Sequence, residues 1–120
     1  MAKYKTAGTF LTLLKELQKV DNEFPLQYAI CLTQIALNEG LSLTNLADLT
    51  GMPLSTVSRI VGALSHKRQK GTAYKLVKVM ISSEEKRKKE LYLTSRGQTV
   101  MHSITELLQT PPGAVSVKTG

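Results

Sequence analysis

The stretch LTNLADLTGMPLSTVSRIVGAL, residues 43–64, has apolar residues at helical spacing almost throughout, yet Gly51, Met52 and Pro53 interrupt it. Glycine tolerates the left-handed conformation that closes a helix, and proline fixes a dihedral suited to starting one. The chain therefore ends one short helix and begins another at once. So short a linker forbids an antiparallel return, and the two helices must cross steeply, at about 90–120°. Such a crossing requires a small residue where the helices approach, which Ala47 supplies. It requires a turn residue without a side chain four positions later, Gly51, and an apolar anchor in the turn, Met52. The second helix must then bury Val57, Ile60, Val61 and Leu64 against the first.

A second helix held in this way, over about 54–66, keeps another side free. Leu54, Ser55, Thr56, Ser58 and Arg59 lie near its N-terminal end, away from the buried set. Small hydroxyl side chains let a helix enter a major groove deeply, where they can donate to phosphates or base edges. Arg59 is the candidate base reader, because a guanidinium can meet guanine O6 and N7 with two bonds. A phosphate contact or a surface ion pair is its alternative role. Gly62 and Ala63 are expected to keep the same face low, so that a groove wall can come close.

Charge placement points the same way. Of the net +7, the segment from Arg59 to Lys89 holds ten Lys and Arg against two acids, Glu84 and Glu85. That segment carries +8 and the remainder −1. A basic block beside a near-neutral remainder suits a polyanion-facing surface, although surplus lysines on a solvated loop would give the same count. No apolar run approaches the roughly 18 residues needed to span a bilayer, and the start of the chain has an amphipathic helical pattern rather than a secretory signal. A single cysteine, Cys31, excludes an internal disulfide and fits a reducing compartment. The expectation is a soluble cytoplasmic protein without membrane contact.

The rest of the chain fills in the architecture. Phe10, Leu13, Leu14, Leu17 and Val20 form one stripe of a helix over about 9–20. A helix over about 25–38 is apolar nearly all round and is expected to be central and buried. After Ser65 the helical pattern fades. KLVKVMIS, residues 75–82, and ELYLT, residues 90–94, suit two strands with EEKRKK as a charged tip. Thr94 or Ser95 can cap a last helix over about 95–109, with Val100, Met101, Ile104, Leu107 and Leu108 on its apolar side. The order predicts a mainly α fold with a small β-hairpin, an α+β winged helix-turn-helix. It forms one domain over 1–110, with a flexible tail over 111–120.

The spacing of Ala47, Gly51, Val57 and Ile60 resembles the bacterial helix-turn-helix signature. LADLTGMPLSTVSRIVGAL resembles the recognition segment of the MarR-type regulators. It is also similar to the IclR regulators, in which a Gly-hydrophobic-Pro turn precedes a Ser-Thr-Val run. EEKRKKELYLTSRG resembles the MarR wing, in which an acidic residue and two arginines precede a strand ending Leu-Thr-x-Lys-Gly. Glu85, Lys86 and Arg87 occupy the acidic and basic positions, with Lys88 beside them. The resemblance, over about 25–105, implies a winged helix on double-stranded DNA, with helix 54–66 in the major groove and a wing over about 82–90 in the minor groove. It implies that Arg87 enters the minor groove and that Glu85 orients it through an ion pair. The pattern departs from the family in having Glu for Asp, and Lys86 for the first arginine. The connection LSHKRQKGTAYKLV is also several residues longer, and its Lys67, Arg68, Lys70 and Lys75 could meet phosphates beside the groove.

The resemblance further implies a homodimer built from the first and last helices, with the chain's early Pro111 and Pro112 shortening the usual C-terminal arm. Its relatives sense small molecules, but no effector is named by the residues here. Repression is favoured over activation, because occluding a promoter needs no further contact surface. Cys31 sits mid-helix among apolar neighbours and is expected to be a core residue without a redox role. His66 and His102 stand in different elements with no acid at metal-ligand spacing, so neither a metal nor another cofactor is expected. No phosphate-cradling glycine loop or nucleophile–base pair suggests an enzyme. The alternative is a winged helix used for replication initiation or protein contacts, binding DNA without sequence preference.

Overall fold

The computed structural model describes residues 3–66, 73–85 and 88–109. Among them the element order is α1 (Ala7–Gln18), α2 (Leu26–Leu37), α3 (Leu43–Thr50), α4 (Leu54–Ser65), β1 (Val77–Ile81), β2 (Lys89–Leu93) and α5 (Ser95–Gln109). The chain divides into two compact units, Pro25–Thr99 and the pair of terminal segments Met1–Phe24 and Val100–Gly120.

The central unit is built around the break at Gly51. Ser42 caps α3, its Oγ accepting from the Asn45 amide at 3.1 Å. Gly51 closes the helix at φ 74°, ψ 11°, and its amide donates to the Ala47 carbonyl at 2.8 Å. The Thr50 hydroxyl donates back to the Leu46 carbonyl and accepts the Met52 amide, which steers the chain through the turn. Pro53, extended at ψ 147°, starts α4, with its carbonyl accepting the Val57 amide at 3.0 Å. Val57, Ile60, Val61 and Leu64 are all buried, as their spacing requires. They meet Leu46 of α3, Cys31, Leu32 and Ile35 of α2, and Leu76, Leu91 and Leu93 of the hairpin region in one core.

β1 and β2 pair antiparallel, with Val77 opposite Leu93, Val79 opposite Leu91 and Ile81 opposite Lys89. The expected alternation holds on β2, where Leu91 and Leu93 point into the core. The other edge of β2 is also occupied. The Gly40 amide donates to the Leu91 carbonyl at 2.8 Å, and the Leu91 amide donates to the Leu41 carbonyl at 2.9 Å. Glu39 adds a carboxylate oxygen 3.0 Å from the Leu93 amide. The hairpin is thus tied to the helical body through the segment between α2 and α3.

β1 begins two residues later than the sequence pattern suggests. Lys75 adopts φ 58°, a left-handed conformation no ladder residue can hold, so the strand starts beyond it. Tyr74 before it is buried, its amide donating to the Ala63 carbonyl and its ring meeting that of Tyr28 edge-on at 5.9 Å. A second correction concerns α2. Its buried face is limited to Cys31, Leu32 and Ile35, while Leu26 and Leu37 are each 73% exposed and Ile30 is 39% exposed. One side of a twelve-residue helix meets α3, α4 and β2, and apolar character on its other side does not bring it into that core. Cys31 is fully buried, and burial pushes its thiol up to about 11, which keeps it protonated and unreactive near neutral pH.

At the end of β2 a compact joint passes the chain into α5. The Thr94 hydroxyl donates to the Lys75 carbonyl at 2.8 Å and accepts the Gly97 amide at 3.0 Å, so Thr94 is the helix cap. The Thr94 amide donates to the Leu76 carbonyl. Gly97 is buried directly against that carbonyl, and any Cβ there would run into it.

In the terminal unit, α1 runs with all its residues at least partly exposed; Phe10 (61%), Leu11 (52%) and Leu14 (41%) are the most open of its large apolar residues. Lys19 pairs with Glu16 at 3.0 Å, and beyond α1 the Glu23 amide donates to the Asp21 carboxylate. On α5, His102 lies on the surface 3.7 Å from Glu106, and Leu108 is 61% exposed. The residues of the expected tail, 111–120, lie outside the described residues.

Gly97→Ala forces the Leu76 carbonyl away from the Thr94 amide and is expected to lower stability by about 1–3 kcal/mol or more. Thermal unfolding followed by circular dichroism checks this. A midpoint within about 2 °C of the parent chain would show that the joint yields freely.

Candidate nucleic-acid interface

The four apolar residues that seat α4 fix which of its sides faces out. Ser55, Ser58 and Arg59 are exposed, Leu54 is 50% exposed, and Thr56 is half-buried. With Gly62 and His66 further along, the open residues fall at helical spacing on one stripe. This stripe contains no acid. Ser55 and Thr56 sit in the first turn, where the leading backbone amides of a helix point outward along the axis, and Ser58 follows in the second. Ala63 does not belong to it. Ala63 is buried, with its carbonyl engaged by Tyr74, so Gly62 alone keeps the outer face low.

The wing tip is organised by one buried serine. The Ser82 side chain accepts the amides of Glu84 and Glu85, each at 3.2 Å. Its own amide donates to the Lys88 carbonyl at 2.8 Å, and the Lys88 amide donates to the Glu85 carbonyl at 2.9 Å. Ser82 therefore closes the tip at the point where the two strands part, and leaves Glu84, Glu85, Lys88 and Lys89 exposed. Lys67, Arg68, Lys70, Lys86 and Arg87 lie outside the described residues, as therefore does the expected Glu85–Arg87 pair.

Between the outer face of α4, the start of α3 and the tip end of the wing lies an open cavity of about 330 Å³, lined by Leu54 and Ser58 of α4, Ser42, Leu43 and Thr44 at the start of α3, and Lys88 and Lys89. Three elements remote in sequence thus converge on one cleft. Four of its residues, Ser42, Leu43, Thr44 and Lys89, are not singled out as site residues by the sequence pattern. Ser42 to Thr44 open a short helix whose pattern speaks only of its packing, and Lys89 is one of a run of like charges, so none stands apart until the fold brings them together. Among the described residues no three His, Cys, Asp or Glu gather as a metal site. None of the described helices is long and apolar enough to cross a membrane.

Helices crossing at a glycine turn, an exposed hydroxyl-rich second helix and a hairpin beside it together make a known frame. The fold is the winged helix of the MarR-type regulators. Residues 35–69 match the IclR helix-turn-helix domain. The S. aureus MepR–DNA complex superposes with a TM-score of 0.73 at 16% identity, over 95% of this chain and 86% of that one. RV1404 from Mycobacterium tuberculosis gives 0.67 at 23% identity, over 87% and 67% of the two chains. MarR itself gives 0.61 at 18% identity, over 86% and 74%. The sequence matches no curated protein. In this fold α4 is the second helix of the helix-turn-helix, and β1 and β2 form the wing.

Replacing Ser82 by Ala removes the acceptor for two tip amides. We expect exchange of the Glu84 and Glu85 amides with solvent to quicken, with a loss of about 1 kcal/mol in global stability. Hydrogen exchange by NMR reads both, and unchanged protection at both amides would show that the strands alone hold the tip.

Proposed function

We propose that the protein is a double-stranded DNA-binding transcription regulator of the MarR type, acting as a repressor and working by binding rather than by catalysis. The observation that carries this reading is the open, acid-free, hydroxyl-rich face of α4 ending in Arg59, set beside a wing that presents exposed lysines. α4 enters the major groove with Leu54, Ser55, Thr56 and Ser58 along its walls. Leu54, half open at the first turn, suits an apolar contact such as a thymine methyl. Arg59 reads a guanine edge. The wing reaches the adjacent minor groove, with Lys88 and, by resemblance, Lys86 and Arg87 on it. Lys67, Arg68 and Lys70 meet flanking phosphates. The MepR–DNA complex among the structural neighbours supports this use of the fold.

The chain acts as a homodimer. The support is α1, whose apolar side, Phe10, Leu11 and Leu14, is exposed in a unit that also carries the exposed Leu108 of α5. Monomeric proteins rarely leave such clustered apolar surface in water. Two copies would then read half-sites about one helical turn apart. A cytoplasmic setting follows from this use of DNA.

Selection of bound duplex from a random pool, with the mass of the free protein measured alongside, tests the function. A pseudo-palindromic site and a mass of two chains are expected. Retention of duplexes without any enriched sequence would instead favour a winged helix for replication initiation or protein contacts. With a site in hand, Arg59→Ala should weaken specific binding by about 1–3 kcal/mol and relax preference at one position per half-site. Unaltered preference at every position would remove Arg59 from base reading.

A further inference from the structure

A protein that puts a helix into a major groove and a hairpin into the neighbouring minor groove must straddle the strand between them. That strand is a ridge of phosphates, and it has to pass through whatever space separates the helix from the hairpin. Here that space is the cavity of about 330 Å³ between α4, the start of α3 and the wing. Its lining has the chemistry of a phosphodiester seat. Lys88 and Lys89 line it from the wing, Thr44 and Ser58 are hydroxyl residues lining it from the two helices, and Leu43 and Leu54 are apolar lining residues of the kind a deoxyribose can lie against. No acid is among the residues that line it. The Ser42 hydroxyl, by contrast, is already used in capping α3, accepting the Asn45 amide.

Resting on the DNA-binding function above, we propose that this cleft holds a single backbone phosphate per half-site, gripped jointly by Lys88, Lys89 and the Thr44 hydroxyl. Two consecutive lysines on a strand direct their side chains to opposite faces, yet both border this one cleft, because Lys88 stands in the tip and Lys89 opens β2. Flexible four-carbon stems allow both ammonium groups to converge on one anion. The grip also fixes the spacing between helix and wing, since it is closed by residues from both. Thr44 and Lys89 therefore join the binding surface without reading sequence.

Shared contact to one phosphate has a signature that separate contacts lack. Each phosphate neutralised contributes about 0.9 to the slope of log affinity against log salt. The double variant K88Q/K89Q should lower that slope by about one per half-site on selected and unrelated duplexes alike, leaving the preferred sequence unchanged. A fall of about two per half-site would put the lysines on separate phosphates and overturn the shared seat. Thr44→Val, which keeps the shape, should weaken every duplex by about three- to tenfold. Methylphosphonates placed one at a time along the selected site give the decisive reading. At one position per half-site the loss seen with the parent chain should vanish in K88Q/K89Q, because the contact is already gone. Additive losses at every position, with the parent chain binding normally, would overturn the seat alone. A parent chain that binds no duplex would overturn the function beneath it. Inorganic phosphate titrated without DNA distinguishes the remaining source. Saturating shifts of the Thr44 and Ser58 amide signals at micromolar phosphate would assign the cleft to a free anion and overturn the backbone seat.

Discussion

The seating of α4 through Val57, Ile60, Val61 and Leu64 is the constraint on which the rest of the structure depends. Burying each such side chain contributes about 1.5–3 kcal/mol, so the four together are comparable with the whole stability of a small domain. A helix held so firmly on one side cannot roll. Its opposite side, with Ser55, Ser58 and Arg59, is consequently presented at a fixed angle. That is what a groove-reading element needs, because a rotation of one residue, about 100°, would swap a base contact for a backbone one. Gly51 serves the same end. Its left-handed conformation turns the chain within three residues, and α4 is braced by α3 immediately before it starts to project.

The wing is fixed by a different device. A two-stranded hairpin alone is marginal in water. Here β2 is bonded on both edges, to β1 on one side and to Gly40 and Leu41 on the other. The Thr94–Gly97 joint then locks the base of the hairpin to the chain entering α5. At the tip the Ser82 hydroxyl is the organising contact.

The helix-turn-helix is legible in the sequence because its requirements are local. Ala47, Gly51 and the 57-60-61-64 spacing state the crossing and the buried face outright. The cap at Thr94 and the β2 alternation are legible for the same reason. The remainder depends on what the fold covers. Leu26, Ile30 and Leu37 are as hydrophobic as their buried neighbours, and no periodicity says that α3, α4 and β2 meet only the Cys31–Ile35 side. Lys75 carries no mark of a left-handed backbone, so the late start of β1 could not be read from its side chain. Ala63 looks like a small residue for a groove face until Tyr74 claims its carbonyl. At the candidate site, Arg59 and the serines follow from the helix pattern, but Thr44 and Lys89 do not. Their convergence is a long-range fact, set by where the wing lands beside α3.

The distribution of charge sharpens this picture. Ten of the sixteen cations fall between Arg59 and Lys89, yet only one of the ten, Arg59, lies on α4. α4 itself is thus nearly neutral. In the function proposed above, attraction to DNA therefore comes mainly from cations outside the helix, and discrimination from the helix itself. Such a division lets affinity be tuned without rewriting preference. Lysines added beside the groove raise the hold on every duplex equally, while the small serines of α4 keep its approach close enough for base edges to matter.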